Sequence, residues 1–376
     1  MNKPAIRNIS DEDGILHFTL NNINVSLANA LRRIMLSEVP TLVFRTTPYD
    51  KNKCIIHSNT TRLNNELIKQ RLSCIPIHIS DTDFPYEDYM VEINVKNDTN
   101  STKYITTKDF TVKNIKTDTT LSETQTRTIF PPDFITGDFI NFVRLRPQLT
   151  DTIPGEELNM ECLLDIGTAK EESSFNIVST CAYGYTPDPV KINEVWTSKA
   201  NEMKQSGISK EEIEYARKDW LLLEAKRYYI SDSFDFIIES VGQFSNMSIV
   251  HKATNIMKQK LKKILDVFQN NDSIITSSDT TIENCYDIKL EGEDYTLGKV
   301  LEYILYQKHF NREEGSGSDN KLSYCGFRKA HPHDDYSTIR LGFVETTPKT
   351  DLIVYLTATV NDALTIFKFI EDEFSD

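Results

Sequence analysis

Displaced by 270 residues, the chain lies over itself: FTLNNINVSLANALRRIML (18–36) meets IKLEGEDYTLGKVLEYILY (288–306) without a gap. Leu20, Leu27, Leu31 and Ile34 fall on Leu290, Leu297, Leu301 and Ile304, Ser26 meets Thr296 as the capping hydroxyl, and Ala28 meets Gly298. Each segment reads as a strand, a turn and an amphipathic helix, so the two ends of the chain carry copies of one unit. The alternative is that any two such units align passably; we read a repeat.

In the first copy, GILHFTL (14–20) alternates Leu16, Phe18 and Leu20 against His17 and Thr19, as a half-buried strand does. Asn24 or Ser26 can cap the helix that follows, Leu27, Leu31, Ile34 and Met35 share one face of it, and Pro40 ends it. Arg32 and Arg33 lie outside that stripe, with Leu36 opposite it, and in the second copy they become Glu302 and Tyr303. If both helices pack alike, packing does not require the arginines. Paired guanidiniums beside an exposed leucine suit a contact with another chain. A solvated basic patch answering the helix C-terminal dipole is the other reading.

Between the copies, residues 42–190 carry short β-like runs such as YMVEINV and LNMECLLDI, separated by Asn, Asp, Thr and Pro clusters. A polar helical region is expected over 197–229, its second helix opened by the capping box Ser209-Lys210-Glu211-Glu212. SFDFIIESVG (233–242) reads as a strand leading into a long helix, about 247–268, that bears Ile256 and Ile264. QNNDSIITSSDTT (269–281) is polar and aperiodic, an interdomain linker. In the last hundred residues CYDIKL, TIRLGFV and LIVYLTAT read as strands, NREEGSGSDNK as a mobile loop, and about 361–374 as a closing helix with Phe367 and Ile370 on one side. The N-terminal NKPAIRNISDED reads as a tail.

The 376 residues suggest two or three domains, and the net charge of −14 argues against a protein that grips nucleic acid by itself. No apolar run approaches the roughly 18 residues that span a bilayer. The six cysteines form no Cys-x2-Cys knuckle, so neither a zinc site nor a disulfide framework is expected. Phosphate-binding and nucleophile-elbow motifs are absent. His331-Pro332-His333-Asp334-Asp335 reads as a turn; a metal-dependent hydrolase built on it is the weakest functional reading.

LANALRRIMLSEVPTLVF resembles the first helix of the alpha-like, third-largest subunit of RNA polymerase II and its archaeal counterpart. ELIKQRLSCIPI (66–77), GTAKEESSF (167–175) and DFIIESVGQFS (235–245) resemble further motifs of that family in the same order. EGEDYTLGKVLEYIL and YCGFRKAHPHDDYSTIRLGFVETT resemble a different partner, the eleventh subunit. A fusion of the two in one chain looks like the arrangement in large nucleocytoplasmic DNA viruses. The resemblance implies an α+β fold: two alpha-like dimerisation modules of antiparallel strands and long helices, 1–41 with 229–270 and 282–376. A β-rich insert at 42–228, with a helical extension at 197–228, and a linker at 271–281 complete it.

It further implies a non-catalytic assembly platform without cofactor or metal, with the active site on other chains. The partners would be the second-largest and largest polymerase subunits, with small tenth- and twelfth-like zinc subunits in addition. DNA and RNA would be reached only through the complex, no membrane is involved, and the location would be intracellular: a viral factory in the host cytoplasm and the virion, or the nucleus. Arg32, Arg33, Glu66, Arg71, Gly167 and Lys170 would dock subunits. Leu27, Leu31, Ile34, Met35, Ile256, Ile264, Leu297, Leu301, Ile304, Leu305, Phe367 and Ile370 would form the dimerisation core. Departures exist: there is no Cys-rich zinc loop, Glu172 stands where the family prefers His, Ser174 where it prefers Lys, and Tyr295 replaces a His. A regulatory scaffold of the same fold, binding a non-polymerase partner, is the alternative.

Overall fold

The computed structural model describes residues 3–81, 83–148, 150, 152–270, 272–278, 281–312 and 317–374. The chain opens with strands β1 (Ala5–Glu12) and β2 (Ile15–Asn21), helix α1 (Val25–Ser37), β3 (Thr41–Phe44), β4 (Cys54–Asn59) and α2 (Asn65–Ser73). There follow β5 (Tyr89–Lys96), β6 (Lys103–Thr106), β7 (Thr111–Asn114), β8 (Thr119–Thr120), α3 (Glu123–Ile129), β9 (Asn141–Leu145) and β10 (Glu157–Gly167). Then come β11 (Val178–Pro187), α4 (Pro189–Gln205), α5 (Lys210–Leu222), β12 (Tyr229–Ser240) and α6 (Asn246–Asn270). The chain closes with β13 (Ile275–Ser277), β14 (Cys285–Glu291), α7 (Tyr295–His309), β15 (Leu322–Arg328), β16 (Tyr336–Phe343) and α8 (Lys349–Glu373).

The fold is mixed α+β with antiparallel sheets, divided into two compact units. One holds Met1–Ile34, Thr180–Glu239 and Val250–Asp376; the other holds Met35–Ser179 and Ser240–Ile249. In the first unit the 270-residue repeat is exact in register: β2 and β14 begin and end 270 residues apart, and so do the starts of α1 and α7. The turns match as well. Asn22 and Gly292 both adopt positive φ, 59° and 70°, and Asn24 and Asp294 both accept a bond from the amide two residues on, at 2.9 and 2.8 Å. The two four-stranded sheets have one order, β1-β2-β12-β11 and β13-β14-β16-β15. Even the thiols correspond: Cys181 on β11 reaches the carbonyl of Arg32, Cys325 on β15 that of Glu302, and burial pushes both up to about 12.

Several expectations change. The N-terminal tail is strand β1, paired along β2, and the linker contributes β13, with Ile275 buried against Ile288; residues 271, 279 and 280 of that linker lie outside the described ones. LIVYLTAT is not a strand but the front half of α8. Its β-branched residues suggested a sheet, yet Leu352, Leu356, Val360, Ala363, Phe367 and Ile370 make one buried helical stripe. By length and composition α8 could cross a membrane; that stripe lies in the protein core instead. LSYCGFR, unread as a strand, is β15. The Gly/Ser-rich loop falls partly outside the described residues, at 313–316.

The helical extension starts earlier, at Pro189, where Asp188 accepts from the Val190 and Lys191 amides, and grows out of the turn between β11 and β12, its base closed by Asp188 N–H donating to the Tyr228 carbonyl at 3.1 Å. The second copy has only a short turn there, with His331 N–H on Asp334 and His333 N–H on the His331 ring. The extension therefore groups with the terminal strands, not with the β-rich insert, and it buries a small core of its own around Trp196 and Trp220, whose rings lie 5.4 Å apart. In the other unit, β10 runs down the middle of the sheet β3-β10-β5-β7-β8 with Leu158, Met160, Cys162 and Leu164 inward. Phe44, Phe110, Phe130 and Phe142 close the core above them.

Ala28 and Gly298 are equivalent positions, but a β-carbon on Gly298 would stand 1.9 Å from the Phe327 ring. Gly298→Ala should therefore destabilise the protein by about 1–3 kcal/mol through overpacking, despite the better helix propensity of alanine. Urea denaturation measures it; an unchanged midpoint would mean that Phe327 moves aside freely.

Candidate subunit-docking surfaces

Twelve residues were expected in a dimerisation core, and eleven are buried: Leu27, Leu31, Ile34, Met35, Ile264, Leu297, Leu301, Ile304, Leu305, Phe367 and Ile370. Ile256 is half-buried. Its neighbour Met257 and then Leu261 take the inward positions of α6, because the buried stripe Val250, Ala253, Met257, Leu261, Ile264, Phe268 passes one residue to its side. Contacts between the copies are made by strand and helix together. Phe18 on β2 stacks on Phe236 of its own sheet at 4.8 Å and meets Phe374, just past α8, edge-on at 4.9 Å. Lys258 on α6 pairs with Glu371 on α8, and Lys260 with Glu293 before α7 at 3.1 Å.

Arg33 belongs to this inter-copy contact. Its Nε donates to Thr296 Oγ1 at 2.8 Å and its Nη2 to Asp294 Oδ2 at 2.9 Å, so the guanidinium grips the two residues that open α7. The Asp294 carboxylate offsets what would otherwise be a cation at a positive helix end. The equivalent Tyr303 shares a pocket with Asn24 of α1, and burial, with Asp232 nearby, raises its phenol. Sequence comparison of the copies suggested that neither arginine is used in packing. For Arg33 that is corrected: it reaches the start of α7, while Tyr303 at the equivalent position lines a pocket together with Asn24, just before α1. Arg32 turns Nε and Nη2 onto the Asn29 side chain of its own helix, at 3.0 and 2.9 Å.

The other docking residues lie in the β-rich unit. Glu66 is exposed in the first turn of α2, and Arg71 in its last turn donates to the carbonyls of Phe142 and Asn141 at 2.7 and 3.0 Å, covering an open edge of β9. Gly167 ends β10 where no side chain fits, since a β-carbon would meet the Phe175 ring at 2.8 Å and Arg45 Nη2 at 3.2 Å. Lys170 is exposed, and its amide donates to the Ser37 carbonyl at 2.8 Å. Sequence reading missed the residue that organises this loop. Arg45, 8% exposed, bonds Asp165, the Ile166 carbonyl and Glu171, with its guanidinium 5.7 Å from the Phe175 ring centre. A lone arginine after the apolar run Leu42–Phe44 carried no periodic signal. Among the described residues no group of His, Cys, Asp or Glu is arranged to hold a metal.

The two arginine sites differ in burial, and their removal should differ accordingly. Arg45→Ala leaves Asp165 partly buried with only the longer Lys53 ion pair at 3.9 Å and the Ile166 amide, and should cost about 3 kcal/mol. Arg33→Ala, at a pair whose side chains are 37% and 24% exposed, should cost under about 1 kcal/mol, less still in high salt. Equal shifts in the urea midpoint would refute this ordering.

Relatives carry the same character. A 25% identical protein of Arabidopsis thaliana, DNA-directed RNA polymerases IV and V subunit 3B, aligns over 73% of this chain and 93% of its own length. The human DNA-directed RNA polymerases I and III subunit RPAC1 is 24% identical over 68% of this chain and 82% of its own. The subunit Rpo3 of the Archaeoglobus fulgidus DNA-directed RNA polymerase is 21% identical over 71% and 99%. The model of the RNA polymerase Rpb3/Rpb11 dimerisation domain matches residues 17–261, from β2 through α1 and on into α6. With its crossed strand–helix copies and this match over most of its length, the chain belongs to the RNA polymerase Rpb3/Rpb11 dimerisation domain family.

Proposed function

We propose that this chain is a non-catalytic assembly subunit of a multisubunit DNA-directed RNA polymerase, in which a third-subunit-like module and an eleventh-subunit-like module are fused and pair with each other. The observation that carries it is the repeated order β1-β2-β12-β11 and β13-β14-β16-β15, joined by contacts from one copy to the other. A partner that relatives would have to recruit is then already present. In this reading 1–41 with 229–270 and 282–376 are the two modules, and Arg32, Glu66, Arg71, Gly167 and Lys170 belong to faces that dock the second-largest and largest subunits. Arg33 serves the pairing of the modules first. Chemistry resides on the partner chains, and DNA and RNA are reached through the complex.

Two measurements test this. Residues 1–270 and 282–376 expressed as separate chains should co-purify, and recovery of either half alone as a stable folded monomer would overturn the pairing. Co-expressed with a second-largest polymerase subunit, the Arg32→Ala/Glu66→Ala variant should lose the complex while its melting temperature stays near that of the wild type. Full co-purification would remove those residues from the docking face and favour a regulatory scaffold.

A further inference from the structure

A cleft of about 260 Å³ in the β-rich unit lies between the loop before α2 and the β6–β9 pair. Its apolar lining includes Leu63, Phe142 and Val143, and four arginines surround it: Arg62, Arg71, Arg144 and Arg146. So many guanidiniums at one place contrast with a net charge of −14. Among the described residues Glu156 is the one carboxylate in the lining, and it is already engaged, its Oε1 by Arg146 Nε at 2.5 Å and its Oε2 by the Arg146 amide at 2.7 Å. Arg71 is spent on the carbonyls of β9.

Arg62 and Arg144 are different. Both are exposed, and among the described residues neither side chain has an ion pair or hydrogen bond. Their positions are nevertheless held. Arg144 stands directly across the ladder from Tyr104, whose ring is 54% exposed, so cation and ring share a face. The loop carrying Arg62 is pinned on both sides by Asn59, which donates to the Leu63 carbonyl at 2.9 Å and accepts from Thr61 N–H and O–H at 3.0 and 2.7 Å.

We propose that this cleft receives an acidic segment of a partner polypeptide, carboxylates on Arg62 and Arg144 and an aliphatic side chain between them on the apolar floor. The chemistry follows from the parts: guanidinium forks match carboxylates bidentately, and the floor selects an apolar group. The volume, below the usual small-molecule range of about 300–1,000 Å³, suits a side chain or two. A nucleic acid needs an extended basic track, and the chain's net charge of −14 opposes a long phosphate backbone. Arg71, which lines this cleft, is among the residues assigned above to polymerase docking, so the inference adjoins that reading; Arg62 and Arg144 are not among them, and peptide binding by the chain alone tests the cleft without a polymerase subunit.

The test is fluorescence anisotropy on the full chain with a short fluorescein-labelled peptide alternating glutamate and leucine. Arg62→Glu/Arg144→Glu should weaken binding about tenfold or more, while Lys210→Glu/Lys218→Glu on α5, the same change in net charge, should alter it less than about twofold. Arg62→Gln/Arg144→Gln is read the same way if the charge reversal unfolds. No binding to the wild type, equal loss in both double variants, or displacement of the peptide by a single-stranded thymidine oligonucleotide would overturn the proposal.

Discussion

Phe18 is where the two copies of the repeat meet, and the terminal unit depends on that meeting. It stacks on Phe236 from one copy and receives the edge of Phe374 from the other, completely buried. A four-stranded sheet with two helices has one apolar face to cover, and each copy here supplies the cover for the other. Fully burying a side chain of this size stabilises by roughly 1.5–3 kcal/mol, and the stripes of α1, α6, α7 and α8 repeat the gain along their lengths. The polar contacts at the margins, Arg33 on the start of α7 and Lys258 on Glu371, fix the register of a union that apolar burial drives.

Duplicated topology leaves particular places free to change. The turn joining β11 to β12 carries a pair of helices with their own tryptophan core, while the turn joining β15 to β16 stays short. The connection after α1 carries a whole β-rich unit; its counterpart after α7 spans only the twelve residues 310–321. Insertion at turns leaves the paired strands and buried helix faces intact, because loop closure costs only logarithmically more as the loop grows. In that β-rich unit the same economy of position appears in the loop 167–175, where a buried arginine, two acids and a glycine without room for a β-carbon set the backbone.

Much of this was legible from residues alone where periodicity is long. The strand and helix of each copy, the Asn24 cap, the capping box at Ser209 and the long helix after β12 all carry their own signals, whereas α7 is capped by Asp294 and not by the Thr296 hydroxyl. Short or β-rich runs misled. β1 reads as a tail because its residues are mostly polar and mostly exposed, and the front of α8 reads as a strand because Ile, Val and Thr favour sheets until a buried face decides. Arg45 and the arginine-lined cleft were invisible, since their members lie far apart in the chain.

The sequence by itself determined that two copies of one strand–turn–helix unit exist, that their helices are amphipathic, and that the chain resembles polymerase subunits. Those are local patterns, readable wherever neighbouring residues share a period. Only the tertiary structure decided what the copies do with each other: that Arg33 reaches the cap of α7, and that Phe374 closes over Phe18. Such contacts join residues more than 250 positions apart, and no pattern along the chain encodes them, because they arise from how two buried faces meet.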